Sequence, residues 1–489
     1  MGDPPPRLGW EMGKRFALAG LVIVCLTATA TATAVLLQVK GAADQLATGR
    51  LPNTGNELTR ADVEGPQTIM ILGSDHRSTD ATKQGNSDTI MLVRLDPDKQ
   101  ATALLSVPRD LKVDIHLPDG TVRAGQKINA AYAIGGTRLA LATVRRTLGI
   151  EINHIIDMDF GGFRHAVDRV GCIYTDVDRR YFNDNAGGGE PYAQINLQPG
   201  YQKLCNYDAL AYVRYRHTDT DIVRAARQQD FLRQAKDQLS AQKLFDDRQA
   251  LVGIFAKYAD TDIRGSATLL GLAKLVAFSA AHPIREVHFR AAIGPAYVTA
   301  TAAQLRENVR ELLNEDVARS PVSRPRKLPA GAQGPRPGPA GRRLPGGLEQ
   351  AASDGESQGI EVGAKVSFPV YYPTLRTAGA DYDQQPRIYT IADLRHRRHR
   401  AYRMTLNRHT LGEYYGIQAM SWRDPPILAH PNTTQTTQGR KLLLYTDGGR
   451  LRFVAWRTPR AVYWISNTLT LALNNDQMLA IATSLRTFQ

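Results

Sequence analysis

Residues 214–229 read RYRHTDTDIVRAARQQ and place Arg214, Arg216, Arg224 and Arg227 within one short stretch. Arg214 and Arg216 stand two apart, so in an extended chain they project from one face. Arg224, Arg227 and Gln228 stand at i, i+3 and i+4, so in a helix they share another face. Guanidinium groups are planar forks that stay charged when desolvated, which suits them to phosphate oxygens. A helix beginning near Asp219–Asp221 would add backbone N–H groups aimed at the same anion. Grouped like charges repel unless an anion sits among them, so the pattern predicts an anion site.

Three further clusters fall at the ends of apolar, strand-like runs: GSDHR (73–77), NSDT (86–89) and SVPRD (106–110). Strand ends are where open α/β sheets collect ligands. Asp75 and Asp88 suit a hard cation such as Mg²⁺, which takes one or two carboxylates together with substrate phosphates. Arg77 and Arg109 bring positive charge to the same edge. The composite predicts a pyrophosphate site, with metal on one side and arginines on the other. Each residue alone also fits a cap, a turn or a solvated face; their joint occurrence carries the argument.

The elements that must hold these residues alternate in type. TIMILG (68–73), TIMLVRL (89–95), TALLSV (102–107), HIIDMDF (154–160) and CIYTDV (172–177) are strand-like. TRLALATVRRTLG (137–149), GFRHAVDRVG (162–171) and the run from Arg224 to about Leu244 have helical spacing, and 245–318 continues helical apart from EVHFRAA. NYDALAYVRYR (206–216) reads as helix passing into extended chain. The pattern argues an α/β domain over 67–318, with its sheet covered on both faces. Residues 319–359 open as a Pro/Gly/Arg-rich linker unable to bury a core. Residues 360–489 read as a small β-rich α+β domain, with TDGG (446–449) as a hairpin turn and NDQMLAIATSL as a terminal helix. That domain shows no catalytic constellation.

The formal net charge of +14 suits anionic partners. Arg7, Lys14 and Arg15 precede an uncharged run, so 1–15 reads as a cytoplasmic tail and 16–38 as a transmembrane anchor, followed by a polar stalk over 39–66. TATATATA also offers signal-peptide cleavage sites. Either way the bulk of the chain lies outside the cytoplasm, at the cell membrane, which excludes cytosolic nucleic acid as a partner. Of three cysteines, Cys172 and Cys205 fall in the exported part, where a pair suggests either one disulfide or two buried thiols.

The ordered series GSDHR, SDTIMLVRLDP, LLSVPRD, KINAAYAIGG, IDMDFGGFRHAVDRVG, LQPGYQKL, ALAYVRYRH and RAARQQDFL resembles the LytR-CpsA-Psr family from about residue 67 to 240. The resemblance implies a central mixed β-sheet flanked by helices around an apolar lipid pocket. It also implies a Mg²⁺-dependent phosphotransferase that moves a glycopolymer from a polyprenyl-pyrophosphate carrier to a peptidoglycan sugar hydroxyl. By motif, Asp75 and Asp88 match metal-binding aspartates. Arg109, Arg214, Arg216, Arg224, Arg227 and Gln228 match catalytic groups around the pyrophosphate, and Arg77, Lys127 and Asn129 fall on the substrate side. Cys172 and Cys205 depart from the family pattern together, which supports a disulfide. Two other readings stay open: a polyprenyl-pyrophosphate hydrolase, and a non-enzymatic binder of wall polymer or lipid carrier.

Overall fold

The structure is a computed structural model; it describes residues 41, 57–60, 65–74, 87–99, 101–186, 193–263, 268, 284–294, 296–313, 345–410 and 412–488. Among them no helix is long and apolar enough to cross a membrane. The expected anchor at 16–38, Asp75, Arg77 and most of the linker lie outside the described residues.

The first domain is built on a six-stranded mixed sheet. Its strands are β1 (Gln67–Ser74), β2 (Ser87–Asp96), β3 (Ala101–Val107), β4 (His154–Asp159), β5 (Ala259–Thr261) and β6 (Ile284–Val287), in the order β5-β4-β1-β2-β3-β6. β1, β2 and β3 are antiparallel neighbours, while β4 runs parallel to β1 and β6 parallel to β3. β1, β2 and β3 are near-continuous apolar runs, and Met70, Leu72, Leu92, Ala103 and Leu105 are fully enclosed. Such runs bury both faces of a sheet, so helices must cover each side.

Four helices matter for the site: α1 (Ala130–Leu148), α2 (Phe160–Arg169), α3 (Asn206–Arg214) and α4 (Asp221–Gln238). α1 kinks at Gly135–Gly136 and ends on Gly149, whose φ of 63° lets its N–H reach the Arg145 carbonyl. Asp159 caps α2 by accepting from the Gly162 N–H at 2.7 Å, and Thr220 caps α4 through the Val223 N–H at 3.3 Å. Cys172 and Cys205 form a disulfide, with Cα atoms 4.7 Å apart, tying the turn after α2 to the start of α3. A loop of this length contributes about 2–4 kcal/mol.

Two expectations change. Residues 245–318 are not continuously helical: short strands at Ala259–Thr261, Ile284–Val287, Ala292–Ile293 and Val298–Thr299 separate helices at Arg248–Tyr258 and Ala302–Leu312. Two of these strands pair with distant ones, Ala259–Thr261 with β4 and Ile284–Val287 with β3, and the other two pair with each other as a hairpin, none of which local helical spacing reports. The C-terminal domain begins before Ile360. Leu348–Gln350 pairs with Leu375–Thr377, and the Ala352–Gly363 helix puts Val362 into the same core. The core of that domain is an eight-stranded sheet including Arg398–Asn407, Tyr414–Met420, Val462–Ser466, Arg450–Arg457 and Arg440–Asp447, all antiparallel where they meet.

The two domains share a core. Tyr174 and Tyr201, from the paired strands Ile173–Val177 and Gly200–Leu204, pack with Trp422, Trp464, Met420 and Phe453. Asp176 lies beneath them, taking the Trp464 indole N–H at 3.0 Å and Arg403 at 3.3 Å. Along α4, Arg233 reaches Asp447 at 2.9 Å and pairs closely with Glu286, while Asp230 takes Arg452 at 2.8 Å. The C-terminal domain is therefore a brace along α4 and not a detached module.

Candidate active site

Asp88 is the second residue of β2 and lies 8% exposed. Its Oδ1 is held by Arg109 Nη1, and its Oδ2 stands 3.5 Å from Arg214 Nη2. Arg109 follows β3, and its backbone N–H donates to Asp221 Oδ2 at 2.7 Å. Asp221 opens α4 and pairs with Arg224 one turn later. Asp88, Arg109, Arg214, Asp221 and Arg224 thus form one chain of charges drawn from two strand ends and two helix ends. Asp110 extends it to Lys127, 2.9 Å away.

Arg214 does not stand on a strand with Arg216, as the sequence spacing suggested. It is the last residue of α3, and Tyr215 caps that helix. Its guanidinium lies 3.9 Å from the centre of the Phe160 ring, at the start of α2. Arg216 falls in the exposed turn that follows, where its carbonyl accepts from the Asp219 N–H. A helix carried one turn further than the alternating pattern indicated, because Ala209, Ala211, Tyr212 and Val213 pack a helical face into the core.

Arg227 and Gln228 part company. Gln228 Nε2 donates to Thr89 Oγ1 at 2.9 Å and to the Val213 carbonyl at 3.0 Å, locking α4 to β2 beside Asp88. Arg227 is fully enclosed: it donates to Asp219 Oδ2 and to the Tyr215 carbonyl, each at 2.8 Å, and lies against the rings of Tyr181 and Tyr212. Burial works against its charge, but the Tyr181 and Asp219 oxygens raise its pKa above the ordinary value. Arg179 reaches the other oxygen of Asp219 and stacks on Tyr181 and Tyr414. The mutual repulsion expected of bare arginines is absent, since Asp88, Asp219 and Asp221 are interleaved with them. Among the described residues Arg224 Nε and Nη1 find no hydrogen-bond partner, although the residue is 3% exposed. Buried donors in that state call for a missing acceptor.

Beside this cluster is a cavity of about 330 Å³. Its walls are apolar side chains from the sheet and from α2, α3 and α4, including Met91, Met158, Phe163, Phe231 and Leu232. Among the described residues only Thr89, Asp159, Arg214 and Gln228 bring it polar side chains. Asn129 precedes α1, where its backbone N–H bonds the Arg109 carbonyl, so it positions the Arg109 segment from the backbone. Lys127 is the half-exposed partner of Asp110.

Sequence reasoning passed over Asp157. It sits on β4 beside Leu72, with the Tyr132 and Thr137 hydroxyls each 2.7 Å from its Oδ2. Burial raises its pKa, and those hydroxyls only partly offset that. It lies in IDMDF, where its alternation with apolar neighbours is the available signal. Asp219 and Asp221 were legible only as a helix start, because pairing across a fold has no local spacing.

The chain belongs to the LytR_cpsA_psr family: the family model matches residues 31–312, more than half of the sequence. It is 34% identical over 232 residues to the polyisoprenyl-teichoic acid–peptidoglycan teichoic acid transferase TagV of Bacillus subtilis (strain 168), covering 46% of this chain and 56% of that protein. It is 32% identical over 184 residues to the corresponding transferase TagU of Bacillus cereus (strain AH820), covering 37% and 54%. The chain spans about half the length of these curated relatives. The crystal structure of B. subtilis TagV matches 51% of this chain and 98% of its own, at 26% identity and a TM-score of 0.41. The C-terminal domain lies outside the family match.

Proposed function

We propose that the protein is an exported, membrane-anchored phosphotransferase that moves a glycopolymer from a polyprenyl-pyrophosphate carrier to a peptidoglycan hydroxyl. The observation that carries this reading is the sharing of Arg214 and Gln228 between an apolar cavity and a charged cluster. A ligand suited to both has a hydrocarbon tail joined to a strongly anionic head. A polyprenyl pyrophosphate is such a molecule, and the relatives' names point to the same carrier class.

In the reaction, an acceptor hydroxyl oxygen bonds to the phosphorus that carries the polymer. The bond from that phosphorus to the bridging oxygen breaks, and polyprenyl phosphate leaves with the electron pair. The hydroxyl proton passes to a carboxylate of the cluster, Asp88 or Asp110. Positioning and charge stabilisation supply most of the acceleration in phosphoryl transfer. Arg214, Arg109 and Arg224 hold the charge that builds on the phosphate oxygens, and the two open nitrogens of Arg224 are suited to one of them. Gln228 fixes α4 against β2. Arg227 acts at one remove, by anchoring Asp219 and the end of α3. The all-oxygen donor set of Asp75 and Asp88 fits Mg²⁺, which would neutralise pyrophosphate charge there. With such an ion on Asp88, Arg109 and Arg214, which pair with that carboxylate, would be available to the phosphates.

The experiment is transfer of labelled saccharide from a polyprenyl-pyrophosphate donor to peptidoglycan, with and without chelator. Label released only as free saccharide, in the presence of peptidoglycan, would make the protein a hydrolase. Retention of lipid without turnover, unaffected by chelation, would make it a binding protein.

A further inference from the structure

Helix α3 stands between two cavities. Leu210 and Arg214 line both the apolar cavity and a second groove of about 560 Å³. The other walls of the groove come from the strand pair Tyr181–Asn183 and Ile195–Leu197 and from the first turn of α3. Two large rings stand open in it, Tyr207 at 70% exposure and Phe182 at 46%. Exposed aromatic side chains gathered in one groove mark a binding surface. Each ring carries a guanidinium on it: Arg164 lies 4.1 Å from the centre of Tyr207, and Arg180 lies 4.9 Å from that of Phe182. A cation held against one face steadies the ring and leaves the opposite face for a ligand.

The polar side chains of the groove select among ligands. Asp184, Asp208 and Asn196 are exposed and offer acceptor oxygens. Two carboxylates disfavour a polyanion, yet accept hydrogen bonds from hydroxyl groups. Apolar ring faces beside hydroxyl acceptors match a sugar ring, which has a C–H face and a rim of hydroxyls. We propose that this groove is a saccharide subsite, with Tyr207 and Phe182 as stacking platforms and Asp184, Asp208 and Asn196 as hydroxyl acceptors. Arg214 borders both cavities, so a sugar held here adjoins the phosphate position. The proposal rests on the pyrophosphate reading above. The sugar comes either from the donor, next to its pyrophosphate, or from the acceptor glycan.

The test uses the full chain with the double change Tyr207→Ala and Phe182→Ala, beside Arg214→Ala. Both rings are exposed, so the double variant should melt with the wild type. Three probes are compared: polyprenyl pyrophosphate without sugar, the same lipid carrying a neutral disaccharide, and a peptidoglycan glycan fragment as acceptor. The double variant should bind the sugarless lipid as the wild type does, while Arg214→Ala should lose it. Weakening of the disaccharide lipid by about tenfold, the scale of one good aromatic contact, assigns the groove to donor sugar. A similar rise in KM for the glycan fragment alone assigns it to acceptor sugar. If neither changes while Arg214→Ala still loses the sugarless lipid, the groove proposal is overturned and the pyrophosphate reading stands. If Arg214→Ala also binds normally, both are overturned.

Discussion

Asp88 and Asp176 are both buried aspartates held by arginine, yet they serve different regions. Asp88 pairs with Arg109 and Arg214, which come from separate strand and helix ends, and Arg214 lines a cavity. Asp176 is enclosed by the aromatic core between the domains, where Arg403 and the Trp464 indole both point at it. Burial raises the pKa of Asp176, and Arg403 opposes that only in part. Buried ion pairs are costly to form and costlier to break, because removing one partner strands the other charge. At the interface that cost fastens two domains together. At the cluster, under the proposed function, it keeps arginines desolvated for the substrate's anion. The same residue types are thus structural or functional according to what space adjoins them.

The comparison can be broken most severely by removing the brace. Because every motif of the family series precedes Arg319, the sequence alone argues that a chain ending there stays folded. The structure predicts otherwise, since Tyr174, Tyr201 and Asp176 lose their partners and the outer face of α4 loses Arg452 and Asp447. Such a chain should aggregate or melt far below the intact protein in calorimetry. A truncated protein with an unchanged melting curve would show that the interface is incidental.

Within the intact chain, Arg403→Ala should destabilise by about 3–5 kcal/mol, read from denaturant unfolding, while Arg403→Met should cost much less when paired with Asp176→Leu. Arg214→Ala should behave in the opposite way. Its turnover should fall by roughly 10²–10³, the scale for one preorganised charge-stabilising donor, with little change in melting temperature. Arg214→Lys should recover only part, since lysine offers a point charge in place of a fork. Arg227→Ala belongs with the interface: it should lower the melting temperature, because Asp219 would be left with Arg179 alone. Unaltered stability in that variant would return Arg227 to the direct-contact group that its spacing suggested.

The smallest effect is a pH dependence at the interface. Burial pushes the Glu286 carboxyl up to about 8; Arg233 opposes this, but Asp447 and Asp230 reinforce it, with Arg452 adding a further opposing charge. His288, also facing Asp447, is pushed down by burial. A carboxyl with a raised folded pKa contributes stability that is complete below its ordinary range and is lost as pH rises through about 8. The melting temperature should therefore decline from about pH 4.5 to about 8 and level off above, and Glu286→Gln should flatten that decline. An equal slope in both proteins would remove Glu286 as its source.

Much of this protein was legible along the chain. β1, β2, β3 and β4, the helices α1, α2 and α4, the TDGG hairpin and the terminal helix all announce themselves by local periodicity, because backbone hydrogen bonding and one-sided burial act over a few residues. The arginine stretch, the strand-end aspartates and the cysteine pair were visible for a similar reason: chemical type is written in each residue. Tertiary structure alone decided how those types were divided. Helical packing of Ala209, Ala211 and Tyr212 turned Arg214 away from Arg216 and toward Asp88 and Phe160. Asp219 drew Arg227 inward, 8 residues away in the chain, while Thr89, 139 residues away, fixed Gln228 at the cavity. The aromatic core that makes the C-terminal domain a brace joins Asp176 to Trp464 across 288 residues. Spacing along the chain reports which side chains can share a face. Which of them meets solvent, cavity or counter-charge is settled only when distant elements compete for the same buried volume.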